Sequence, residues 1–134
     1  LMAIWQAYGL VIILVGLVIV LDILTGLLKA FATDERLNAE KGSKGFAKKL
    51  ALLMGLAFGI FLDVAVPVML SVISVELPFN SPFGMIVGVY IILNEGISIC
   101  ENLYTVDPKI MPAFIVKMLQ SGKDELDKGG DSHE

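Results

Sequence analysis

Residues that carry out chemistry are scarce in this sequence of 134 residues. A single cysteine, Cys100, excludes an intramolecular disulfide, and no set of zinc ligands is present. The lone histidine, His133, lies in a polar terminal stretch and reads as a solvated side chain rather than a ligand or a catalyst. There is no nucleophile elbow, no phosphate-binding glycine loop and no H-E-x-x-H pair, and no polar stretch is long enough to house an active site. The chain is therefore expected not to be an enzyme and to need no metal or cofactor. Charge is scarce as well, at 18% of residues, and falls mainly between Asp34 and Lys49 and after Asp107. The first of these stretches mixes Asp34, Glu35 and Glu40 with its cations and is short, which argues against nucleic acid as a partner.

What is abundant is apolar. Hydrophobic residues make up 56% of the chain and the mean hydropathy is +0.80, outside the usual range of soluble domains. Crossing a hydrocarbon core takes about 20 helical residues. Three apolar runs meet that length, over about 3–29, 46–75 and 83–103, and predict an all-α integral membrane protein with three transmembrane helices. The first run is long and lacks a basic start, so it reads as a span rather than a cleaved leader. Beyond the third, Pro112 is placed to open a short amphipathic helix over 112–120. Its Phe114/Met118 and Ile115/Leu119 pairs suit the inner membrane surface. The polar residues 121–134 are expected to form a disordered tail, leaving 1–120 as the membrane domain.

Lysine and arginine bias sets the orientation. The connection from Thr33 to Lys49 carries Arg36, Lys41, Lys44, Lys48 and Lys49, whereas the stretch between the second and third spans has no cation. The first connection is therefore expected in the cytoplasm, with the N-terminus and the Pro78–Pro82 turn outside and the C-terminus inside. Lys41, Lys44, Lys48 and Lys49 are expected to touch anionic headgroups. Trp5, Tyr8 and Tyr104 suit interfacial anchors.

The polar residues inside the spans carry the functional information. Asp22, Thr25 and Lys29 share one face of the first span. Glu95, Ser98 and Asn102 repeat that spacing in the third, flanked by Asn94 and Glu101, and both stripes lie about 10 Å of helix from the inner end. Asp63 lies about midway along the antiparallel second span, with Pro67 expected to kink it. A charge at the bilayer centre costs a few kcal/mol, so these groups must face protein or water. Two uses remain open: gluing helices together, for example Lys29 to Glu101, or lining an aqueous path between several chains. Residue chemistry alone favours glue. Small residues at Gly55/Gly59 and Gly84/Gly88, with Gly26/Ala30 as a variant, predict close helix contacts and raise the case for self-association.

Three separated stretches resemble one family. "DILTGLLKAF" closing the first span, "LNAEKGSKGFAKKL" in the connection and "NEGISICENL" closing the third, followed by "PKIMP", are similar in order and spacing to the toxin-secretion and phage-lysis holins. Ala39 departs from the serine frequent at that point of the family. The resemblance reaches to about Leu119. It implies a small protein that accumulates in the bacterial cytoplasmic membrane and assembles with itself among the lipids. The lesions so formed release an endolysin or a toxin, without necessary direct contact with either.

Two other classes compete. A small ion channel or transporter would use Asp22, Asp63 and Glu95 as a relay and show selective, pH-dependent flux. A non-conducting scaffold subunit would use the same residues to hold a partner's helices.

Overall fold

The computed structural model describes residues 1–78 and 82–131, so the turn between Pro78 and Pro82 and the terminal residues with His133 lie outside the described residues. Four helices make up the described chain: α1 (Met2–Ala32), α2 (Ala39–Val72), α3 (Phe83–Val106) and α4 (Ala113–Asp131). The first three are long and apolar enough to cross a membrane. Helix α3 is central, packing against α1, α2 and α4.

Capping sets the ends. Asn38 opens α2 by accepting the Glu40 N–H at 2.9 Å, so the helix begins on the polar "AEKGSKG" stretch, seven residues ahead of the expected Phe46. Helices α1 and α2 both end in Schellman turns: Glu35 N–H bonds the Ala30 carbonyl, and Val75 N–H bonds that of Leu70. The left-handed residue in each turn is not glycine but Asp34 and Ser74, both at φ 56°. Pro67 stands inside α2, which continues to Val72.

Packing sorts the apolar surface by helix face. Val11, Val15 and Ile19 form the inward stripe of α1 and meet Leu56 of α2 and Ile91 of α3 in the core. Leu10, Leu14, Leu17, Leu21 and Leu24 of α1, with Met54, Phe58 and Phe61 of α2, are exposed on the bundle exterior, a surface suited to acyl chains. Glycines allow the helices to approach. A Cβ on Gly59 would lie 3.1 Å from Gly84 Cα, and one on Gly88 would collide with Val11 Cγ1. Two glycine pairs expected to favour self-association are thus used largely inside the chain, although Gly55 opens onto free space.

The C-terminal segment differs from expectation. Helix does not stop near residue 120 but continues to Asp131, antiparallel to α3 and packed on it. Ile115, Leu119, Gly122 and Leu126 are among its partly buried positions. That spacing of four, three and four residues makes one face, which outweighs the polar composition read as disorder. Phe114 and Met118, assigned with the Ile115/Leu119 pair to the membrane surface, face outward from the bundle.

Candidate functional site: polar layers within the bundle

Polar side chains gather in two layers separated by the apolar core of Val11, Val15, Leu56 and Ile91. In the first layer, Asp63 of α2 caps the start of α3. Its Oδ1 accepts the Phe83 N–H at 2.8 Å, and its Oδ2 accepts the Gly84 N–H at 2.7 Å and the Tyr8 hydroxyl at 2.7 Å. The first turn of a helix has unsatisfied amide donors and a positive dipole end, so a carboxylate there is doubly favoured. Pro82, the residue before α3, offers no side-chain cap of its own. Asp63 therefore lies level with the N-terminal end of α3.

In the second layer, Lys49 Nζ of α2 sits 2.5 Å from both Asp22 Oδ2 of α1 and Glu95 Oε2 of α3. Glu95 is only 1% exposed. Asn102 Nδ2 donates to Thr25 Oγ1 at 3.2 Å and, more weakly, to Asp22 Oδ1 at 3.4 Å. Asn94 donates to Glu95 Oε1 at 3.1 Å and accepts from Lys123 Nζ of α4 at 3.0 Å. One network thus ties together all four helices. Buried charges are tolerated when paired and hydrogen-bonded in this way, and removing one partner is costly.

The sequence-predicted residues divide accordingly. Asp22, Thr25, Glu95 and Asn102 come together as the two matching stripes suggested. Lys29 does not join them and, among the described residues, makes no ion pair with Glu101. Lys49 is the main correction: expected at the headgroups with Lys41, Lys44 and Lys48, it turns inward, where the buried Glu95 and the partly buried Asp22 would otherwise lack a cation. Lys41, Lys44 and Lys48 stay exposed, with Lys44 paired to Glu40 at 3.0 Å. Sequence reasoning also passed over Asn94 as a link, Tyr8 as the donor to Asp63, and Lys123. A signal for Lys49 was present, since it stands inside the second apolar run, immediately before "LALLMGLAF". Gly26 has only Asn102 near its missing Cβ, at 3.8 Å, so it leaves room for that amide.

A third polar region lies between α3 and α4. Lys48, Asn94, Ser98, Glu101, Gln120 and Lys123 line a cleft of about 460 Å³, room for ten or more waters at about 30 Å³ each. Lys123 Nζ also stands 5.6 Å from the centre of the Tyr90 ring, a cation–π contact. Asp124 and Asp127 stand at the rim of this cleft, and with Glu125 and Lys128 they are exposed on α4. Each would cost about 3 kcal/mol facing hydrocarbon at mid-depth. This side of the bundle is not built for acyl chains.

These features define a multi-pass α-helical membrane protein whose ionisable groups bind its own helices; among the described residues no group of side chains is arranged to hold a metal ion. Within that class the assignment is specific. The model of the bacteriophage holin family matches residues 2–124, and the chain belongs to that family. Holins make lesions in membranes and are not catalysts; this chain is a membrane-lesion protein, not an enzyme. Comparison with curated proteins and with solved structures finds no significant match.

Proposed function

We propose that this holin accumulates in the cytoplasmic membrane of a bacterium, N-terminus outside and C-terminus inside, and oligomerises into lesions that release an endolysin or a toxin. The family match over residues 2–124 carries the reading. The positive connection between α1 and α2 supports the orientation. The exposed leucine and phenylalanine surface of α1 and α2 supports residence in lipid. In this reading Asp22, Glu95 and Lys49 hold the protomer together, and the lesion forms from assembled protomers rather than through one of them. An ion relay through a single chain is disfavoured, because the apolar core separates Asp63 from the Asp22–Lys49–Glu95 cluster.

Induced expression in a bacterium, followed by membrane potential, release of a cytoplasmic reporter enzyme and cross-linked oligomer size, tests the proposal. Abrupt depolarisation together with enzyme release and large homo-oligomers is the expected outcome. Small-ion leakage without enzyme release would replace the holin reading with a narrow channel, and intact potential with continued growth would replace it with a scaffold.

A further inference from the structure

The protomer has two unlike sides. Exposed Leu14, Leu17, Leu21 and Phe58 cover the α1 and α2 side, whereas α4 exposes Phe114 and Met118 in its first half and Asp124, Glu125, Asp127 and Lys128 in its second. Depth makes the contrast informative. Lys123 meets Asn94 and Tyr90, beside Glu95, and Glu95 precedes the end of α3 at Val106 by eleven residues, about 16 Å of helix. The charged second half of α4 therefore runs alongside the middle of a membrane-spanning helix. Acyl chains cannot cover it, and the polar cleft beneath it continues to Lys48 and Glu101.

We propose that α4, held on α3, is the water-facing wall of the homo-oligomeric lesion, with Asp124, Glu125, Asp127 and Lys128 on the lumen and the α1 and α2 leucines and phenylalanines on the lipid. This rests on the lesion reading above and assigns a surface to it. Helix α3 packs against α1, α2 and α4, and what it exposes in its first half, Phe83, Met85, Ile86 and Val89, is apolar and offers no face to water. The wall carries both signs of charge, as suits passage of proteins of varied charge. The α3–α4 contact supplies what keeps α4 inside the membrane: Leu119 seated at Gly96, Leu93 at Gly122, and the Lys123–Asn94 bond that extends the second layer's network.

The test uses the full chain with Cys100→Ser, Leu93→Cys and Gly122→Cys, since a Cβ at 122 would lie 3.5 Å from Leu93 Cδ1. Protein joined by a short bifunctional thiol reagent, and the same protein untreated, are reconstituted into phosphatidylethanolamine–phosphatidylglycerol vesicles loaded with a reporter enzyme. The wall assignment expects the link to form within one chain and release from the vesicles to stay within twofold of the untreated sample. Absence of the intrachain link, or a tenfold loss of release once it is made, overturns the assignment and makes α4 a segment that must leave α3. A second measurement places a fluorophore at Lys128→Cys in the Cys100→Ser chain. Quenching by aqueous iodide is expected to exceed quenching by doxyl-labelled lipid at least fivefold, and the reverse order overturns the wall. If the unmodified chain releases no enzyme, the lesion reading itself falls and the wall with it, an outcome distinct from release with α4 elsewhere.

Discussion

At the scale of the residue, Lys49 joins two carboxylates from two other helices in a site where Glu95 is almost wholly excluded from solvent. Formally the cluster holds one positive and two negative charges, so the hydrogen bonds from Asn94 and Asn102 are part of its balance. Lys49→Met strands both carboxylates and is expected to destabilise the bundle by about 3–5 kcal/mol. Adding Asp22→Asn and Glu95→Gln to the same chain should recover most of that loss, because neutral amides can hydrogen-bond where unpaired carboxylates cannot. Thermal unfolding in detergent, monitored by circular dichroism, reads both effects. An unchanged midpoint for Lys49→Met would mean that the cation does not bridge the helices.

At the scale of the element, glycines distinguish contacts inside the chain from surface left open. A methyl group at Gly88 would meet Val11 across the α1–α3 contact, so Gly88→Ala is expected to cost about 1–3 kcal/mol by overpacking. Gly55 has nothing within 4 Å of its missing Cβ, so Gly55→Ala should be neutral or stabilise α2 by up to about 1 kcal/mol. Equal effects at the two sites in detergent-solubilised monomer would contradict the packing. Helix α4 makes a related point about elements. Its second half is polar enough to suggest disorder, yet Leu119, Gly122 and Leu126 line up on α3 once the helix is formed. Isolated from α3, the same residues have no surface on which to bury that face.

At the scale of the whole molecule, orientation has a direct check. In a Cys100→Ser chain expressed below the level that permeabilises cells, a membrane-impermeant thiol reagent should label Trp5→Cys and leave Lys44→Cys unlabelled until the cells are broken. Labelling of Lys44→Cys in intact cells would reverse the topology. The fold class follows from quantities that need no tertiary information: three apolar runs of membrane-spanning length, and a basic connection placed between two of them. The matching spacing of Asp22/Thr25 and Glu95/Asn102 was legible for the same reason, since helical periodicity alone aligns each pair on one face. The inward face of α1 was marked by Asp22, which lies three and seven residues from the buried Ile19 and Val15. What that face meets was not legible, because periodicity says nothing of partners elsewhere in the chain. The same limit hid the destination of Lys49 and Asp63. Lys48 and Lys49 are adjacent and chemically equal in sequence, yet only Lys49 points toward Asp22 and the buried Glu95, and Asp63 finds α3 amides that no spacing rule connects to it. Length, hydropathy and charge bias were thus decided within single segments, whereas the partners of the buried charges and the seat of α4 depended on which helices meet, and that is settled by packing across the chain.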